Sequence, residues 1–148
     1  DYGAPYWGNA AADGSDWCLG SQYWSKQVNA DYRPLYGILL DMVGGADARF
    51  RYEYYSRRYA DNVLAKVWGA AATAGAGHLF INENGNPVTD DHLPMNQIAG
   101  IPTIDIIPDN GNGFASTWHT IYDTPEHISK PTLEAVGQTL LQVIFEEK

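Results

Sequence analysis

The chain has 148 residues, of which 45% are hydrophobic and 13% aromatic, and this is enough apolar material for one folded domain. Its net charge of -9 argues against a surface that follows nucleic acid phosphates, so we exclude nucleic acid as a partner. No apolar stretch approaches the ~18 residues of a membrane span, and the lone Cys18 excludes an internal disulfide and a cluster of thiolate metal ligands.

The hydrophobic pattern of the first half predicts a loop, a short helix, a strand and a long helix. Residues 1–20 mix small, polar and aromatic residues without a period, which is typical of a surface loop, and residues 21–27 indicate a short helix. Residues 34–45 predict a buried strand that stops at two glycines and leaves Asp41 near its C-terminal end. Apolar residues that recur about every fourth position predict an amphipathic helix over 54–74.

The second half predicts two further strands and a final helix. A short strand over 78–82 precedes a turn at 84–87, and the β-branched run 100–108, bounded by Gly and Pro, predicts a core strand. A helix begins at Pro131. Its predicted buried stripe consists of Leu133, Val136, Leu140, Leu141, Ile144 and Phe145.

Alternating helices and strands predict the α/β class. Only about three strands are convincing, whereas doubly wound sheets normally have five or more. We therefore infer that a preceding portion of the sheet is missing from this chain.

The candidate site residues fall at strand ends or in the loops beside them. They are Asp1, Asp41, Asp90 and His119. One imidazole with carboxylates and an open position suits a catalytic zinc ion, and Trp118 beside His119 favours catalysis over a structural metal. A serine nucleophile is excluded because the sequence has no Gly-x-Ser-x-Gly elbow.

Single residues leave alternatives open. Asp90 next to Asp91 is also typical of a solvated turn or helix cap, and His92 of a hydrogen-bonded structural histidine. Asp105, in the middle of a predicted strand, is expected to be paired or to face solvent. Cys18 is interpreted as a small buried residue that is not a nucleophile.

The order of four motifs resembles the zinc-dependent glutaminyl cyclases, the animal-type enzymes and their bacterial relatives, which share a fold with the zinc aminopeptidases. The motifs are Leu-Leu-Asp-Met-Val-Gly-Gly at 39–45, Asp-Asp-His-Leu-Pro at 90–94, Gly-Ile-Pro at 100–102 and Trp-His-Thr at 118–120, followed by Asp123. The resemblance implies a three-layer α/β/α fold with a mixed sheet, incomplete in this chain. Residues 1–148 would be the C-terminal part of a single zinc-dependent catalytic domain.

The resemblance also implies roles for individual residues. Asp1 and His119 would be zinc ligands, while the first aspartate ligand and the catalytic Glu would lie upstream of residue 1. Asp41 and Asp90 would form a hydrogen-bonded catalytic pair. The substrate would contact the aromatic residues Trp118, Phe114 and Trp7.

The implied activity is cyclisation of the N-terminal glutamine of a peptide or protein to pyroglutamate, with release of ammonia. The leading alternative is a zinc aminopeptidase, in which Asp41 would bind a second zinc ion; Asp90 and Trp118 favour the cyclase. A third possibility is a non-catalytic binding module that uses the aromatic residues of 2–24. Because the chain opens without Met, we expect a trimmed product. We expect it to be inactive without its upstream half, since one histidine and one carboxylate hold zinc poorly and the general acid/base is absent, and to be located in the periplasm or secreted.

Overall fold

A computed structural model describes residues 16–111 and 113–147. Two predicted site residues, Asp1 and Trp7, and most of the predicted N-terminal loop lie outside this described part. The elements, in chain order, are α1 (Leu19–Gln27), β1 (Gly37–Leu40), β2 (Phe50–Tyr52), α2 (Tyr54–Thr73), β3 (Phe80–Asn84), α3 (His92–Gln97), β4 (Thr103–Ile106), a 3-10 helix (Pro125–His127) and α4 (Lys130–Glu146).

The four strands form two parallel pairs. β1 pairs with β4, with Gly37 opposite Thr103. β2 pairs with β3, and an antiparallel bridge between Phe50 and Pro108 links β2 to the segment after β4. The predicted α/β class is confirmed, although both long apolar runs form strands of only four residues. The short strand β2 and helix α3 are additions to the prediction, because three and six residues are too few to show a period.

The core lies between the strands and the long helices α2 and α4. Side chains alternate along a strand, so Ile104 and Ile106 pack into the core against α2 while Thr103 and Asp105 face the opposite side. All four residues of β4 are buried, which shows that both faces of this strand are covered. Among the described residues, no helix combines the length and apolar character needed to cross a membrane.

Four of the six residues in the predicted buried stripe of α4 are exposed, and only Val136 and Leu140 pack as predicted. Leu133, Leu141, Ile144 and Phe145 are 44%, 46%, 65% and 83% exposed. Besides Val136, the buried residues are Thr132, Thr139 and Val143, with Leu140 partly buried beside them. Apolar side chains occur on more than one face of this helix, so periodicity alone does not select the face that meets α2. Threonine can be buried there because the Thr139 hydroxyl donates to the carbonyl of Ala135 at 2.9 Å.

Candidate active-site cleft

A cleft of about 680 Å³ opens where β1, β3 and β4 end. The carboxyl ends of strands are the usual position of ligand sites in α/β folds. Five of the seven predicted site residues line this cleft, and the other two lie outside the described residues. The five are Asp41, Asp90, Phe114, Trp118 and His119.

Asp41 and Asp90 form a hydrogen-bonded carboxyl pair. Asp41 directly follows β1, and its backbone amide donates to the carbonyl of Ile106 at 3.2 Å, which anchors it to β4. Burial, then the charge of Asp90, then the hydrogen bond between the two side chains raise the pKa of Asp41 from 3.8 to about 6. The amide of Met42 opposes this rise. Asp41 therefore keeps its proton under mildly acidic conditions.

Three aromatic rings, two of them stacked, contact one another on the loop that follows β4. The ring centroids of Phe114 and Trp118 are 4.9 Å apart, and Trp118 stacks on His119 at 3.9 Å with an interplanar angle of 21°. His119 has a φ of 57°, a left-handed conformation that is uncommon for a residue with a side chain. Trp118 is 38% exposed, so this stack adds an apolar surface to the cleft beside an imidazole.

Cys18 also lines the cleft, from the start of α1. Its thiol and the carboxylates of Asp90 and Asp91 have ligand atoms within 4.8 Å of one another. Burial, followed by the charges of Asp91 and Asp90, raises the pKa of the thiol to about 12. Cys18 is thus a small buried residue, as predicted, and the raised pKa of its thiol disfavours a role as nucleophile.

A buried group of three titratable side chains adjoins the cleft. His92 is fully buried, with Nε2 3.1 Å from Oε2 of Glu53 and Nδ1 3.6 Å from Oδ2 of Asp105. The interpretation of His92 as a hydrogen-bonded histidine is confirmed. Glu53 is not among the residues predicted from the sequence, because only its position before α2, typical of a cap, could have pointed to it.

The expectation that Asp105 is paired or faces solvent is confirmed in its first form, because Asp105 is fully buried and its Oδ2 lies 3.6 Å from Nδ1 of His92. This contact is longer than a hydrogen bond, and among the described residues neither carboxyl oxygen of Asp105 has a hydrogen-bond partner. Burial, followed by the charges of Asp90, Asp41 and Glu53, raises its pKa from 3.8 to about 9. At neutral pH Asp105 is therefore a neutral carboxyl group inside the protein.

The donor set of the cleft suits a borderline cation such as zinc. It places the imidazole of His119 together with carboxylates of Asp41, Asp90 and Asp123. Nitrogen and oxygen donors of this kind bind zinc.

Solved structures of other proteins share the fold of this chain. A crystal structure of glutaminyl cyclase from Bacteroides thetaiotaomicron bound to N-acetylhistamine is 52% identical and has a TM-score of 0.93; the match covers 100% of this chain and 51% of that one. A Zn-dependent exopeptidase from Parabacteroides distasonis is 45% identical with a TM-score of 0.88, over 99% of this chain and 51% of that one. The predicted zinc-exopeptidase-like fold is thereby confirmed.

A curated relative shows the same similarity at lower coverage. The glutaminyl-peptide cyclotransferase of Boiga irregularis is 35% identical over 60 residues, 40% of this chain and 15% of that protein. The resemblance to animal-type and bacterial glutaminyl cyclases is confirmed, and the chain spans about half the length of the solved structures it matches. The sequence also matches the model of peptidase family M28 over residues 11–144. The chain therefore belongs to peptidase family M28.

Proposed function

We propose that residues 1–148 are the C-terminal part of a single zinc-dependent catalytic domain that acts as a glutaminyl-peptide cyclotransferase. The observation that carries the proposal is the placement of Asp41 beside Asp90 in one cleft with Trp118 and His119, where burial and then Asp90 raise the pKa of Asp41. Similarity to glutaminyl cyclases from a bacterium and a snake supports it. The partner that completes the cleft is the upstream half of the same domain, since the chain covers 51% of the bacterial cyclase.

The reaction would close a ring on the N-terminal glutamine of a peptide or protein. The nitrogen of the α-amine attacks the carbon of the side-chain amide, a new carbon–nitrogen bond forms, and the bond to the amide nitrogen breaks. One proton passes from the amine to the leaving nitrogen, so the products are a pyroglutamyl peptide and ammonia. We assign this proton transfer to a Glu upstream of Asp1.

Asp41 and Asp90 would hold the leaving nitrogen. A pair that shares one proton carries a single negative charge, so it can accept hydrogen bonds from the amide N–H groups without the repulsion of two ionised carboxylates. This arrangement depends on the hydrogen bond between the two side chains. Substitution of either residue should therefore impair the breaking of the carbon–nitrogen bond more than the binding of the peptide.

The aromatic residues would position the glutamine side chain. Phe114 and Trp118 present an apolar surface in the cleft, and Trp7 is the third proposed contact. Apolar walls bind the methylene groups of glutamine and exclude water, which disfavours hydrolysis of the amide.

Asp1 and His119, with an aspartate from the upstream half, would hold the zinc ion. Stacking on Trp118 restricts the orientation of the His119 ring. When bound, the ion supplies a Lewis acid that polarises the amide carbonyl.

A zinc aminopeptidase is the second candidate function. Membership of a peptidase family and the similarity to a Zn-dependent exopeptidase favour it. In that function Asp41 would bind a second metal ion, which activates a water molecule, and the proton shared with Asp90 would have no role.

The deciding experiment uses the full-length protein, which is this chain together with the upstream half of its domain. An Asp90→Ser variant should release ammonia from a glutaminyl peptide at least 100-fold more slowly while keeping close to one equivalent of zinc. The control is Asp61→Ser, at a side chain that is 70% exposed on α2, and it should retain the wild-type rate. Two equivalents of zinc with release of leucine from a leucyl peptide would overturn the cyclase proposal.

We also propose that the protein works in the periplasm or outside the cell. Chains are synthesised with an N-terminal Met, so an N-terminal glutamine arises after a precursor has been cleaved, as happens during export. Fractionation with antibody detection would check this location, and recovery in the cytoplasmic fraction would contradict it.

A further inference from the structure

Glu53 binds more hydrogen-bond donors than a helix cap requires. It precedes α2 and is 2% exposed. Its Oε1 accepts from the amide of Tyr55 at 3.0 Å, and its Oε2 accepts from the amide of Ser56 at 2.6 Å and the Ser56 hydroxyl at 2.7 Å. These bonds cap the helix. Two further donors come from a distant part of the chain, the amide of Val88 at 3.0 Å and Nε2 of His92 at 3.1 Å.

Val88 and His92 lie on either side of Asp90. Each is two residues from it, so one carboxylate holds both ends of the segment that presents Asp90 to the cleft. Inside the segment, the amide of Asp91 donates to Oδ1 of Asp90 at 2.7 Å, and the amide of Leu93 donates to the Asp90 carbonyl at 2.9 Å. The backbone of Asp90 is therefore fixed relative to the N-terminus of α2.

The same group of side chains reaches the strands that carry Asp41. His92 faces Asp105 of β4, and Asp105 lies opposite Leu39 in the parallel pair of β4 with β1. The hydroxyl of Ser56 accepts from the amide of Asp105 at 2.9 Å, which is a second link from the Glu53 cap to β4. The two halves of the carboxyl pair are thus connected through buried side chains.

The charge of Glu53 matches this set of donors. Burial by itself would raise its pKa, but hydrogen bonds from His92 and from the amides of Tyr55 and Ser56 outweigh it and hold the pKa below its usual value. An ionised carboxylate only accepts hydrogen bonds, and every group around these two oxygens is a donor. A glutamine would place its NH₂ group against two donors in one orientation and three in the other, so the hydrogen bonds to one of the two positions would be lost.

We propose that Glu53 is a positioning residue for Asp90: by binding Val88 and His92 it sets the position of the Asp90 carboxyl relative to Asp41. We call the two hydrogen bonds from Val88 and His92 to Glu53 the clamp. The expected effect on catalysis rests on the proposed cyclase reaction, whereas the clamp itself is tested by the structure in solution. In this proposal Glu53 does not contact the substrate. Loss of the clamp should therefore reduce kcat and leave KM nearly unchanged.

The test compares Glu53→Gln and Glu53→Asp with wild type in the full-length protein. Aspartate is a good helix cap but is one methylene too short to keep Val88 and His92, so Glu53→Asp should fold stably and still lose the clamp. We expect kcat for ammonia release to fall about 10- to 100-fold in both variants, with KM within about threefold and zinc content unchanged. The control is Glu83→Gln, at a side chain that is 64% exposed, and it should behave as wild type.

Amide hydrogen exchange supplies a readout that does not depend on activity. Exchange at Val88 should become at least ~10-fold faster in both variants, while the amides of Ile104 and Ile106 in the core keep their protection. Unchanged exchange at Val88 overturns the clamp. Faster exchange at Val88 with a wild-type kcat overturns the positioning role and leaves Glu53 as a cap. A wild-type protein that releases no ammonia refutes the proposed function alone, and the exchange result still decides the clamp.

Discussion

Replacing Asp105 by asparagine should stabilise the protein, and the gain should grow with pH. The folded protein keeps this carboxyl neutral, with a pKa raised from 3.8 to about 9 by burial and then by the charges of Asp90, Asp41 and Glu53. The unfolded chain ionises it above pH 3.8. A neutral Asp105 thus contributes stability that is fully present below pH 3.8 and is lost progressively as the pH rises towards about 9.

The size of the stability gain follows from the proton that the Asp105 carboxyl must take up when the chain folds at neutral pH. At pH 7 this uptake costs about 4 kcal/mol as an upper limit, since each pKa unit corresponds to about 1.4 kcal/mol. Asparagine has the same shape and no charge, so the variant avoids this cost. Its amide can also donate to Nδ1 of His92, which lies 3.6 Å from Oδ2 of Asp105. The stability difference between variant and wild type should increase by about 4 kcal/mol between pH 5 and pH 8.

Urea unfolding at pH 5 and pH 8, followed by circular dichroism, measures this difference. Asp109→Asn is a control of opposite sign. Burial alone would raise the pKa of Asp109, but the amides of Asn86 and Gly111 and the charge of Arg51 lower it below its usual value. That variant should be less stable than wild type by the same amount at pH 5 and pH 8, because Asp109 is ionised in the folded and the unfolded chain at both values; the deficit shrinks only below about pH 3.8. A constant or shrinking gain for Asp105→Asn between pH 5 and pH 8 would show that Asp105 is ionised in the folded protein.

Two further substitutions test the packing. Gly37→Ala would place a methyl group 2.7 Å from Oγ1 of Thr103 and should lower the free energy of unfolding in urea by about 1–3 kcal/mol. Its control is Gly69→Ala in α2, where no described residue beyond the adjacent turns of the helix has an atom within 4 Å of the added methyl group, and this variant should be more stable by about 0.5–1 kcal/mol. Equal effects of the two substitutions would contradict the close approach of β1 to β4. Leu64→Ala, at a side chain that is 1% exposed, should cost about 2–5 kcal/mol, whereas Asn62→Ala on the exposed side of α2 should cost nothing measurable.

Local sequence patterns were enough to predict the α/β class and most of its elements. Glycines after the first apolar run, the β-branched run around Ile104 and the proline at position 131 are short-range signals, because they act through the conformations of neighbouring residues. The order of the motifs also identified Asp41, Asp90 and His119, which the structure brings to one cleft. Their roles there remain proposals.

Tertiary structure alone decided which face of α4 is buried and how Asp90 is held. Several faces of α4 carry apolar side chains, and only its contact with α2 selects the one with Val136 and Val143. Glu53 and His92 are separated by 39 residues, and no periodicity links them. The neutral state of Asp105 likewise depends first on its burial and then on the charges that four distant residues bring near it. Short-range sequence patterns report the local conformation of the chain. The burial of a side chain and the charges around it depend instead on its distances to residues throughout the fold, and only the tertiary structure provides those distances.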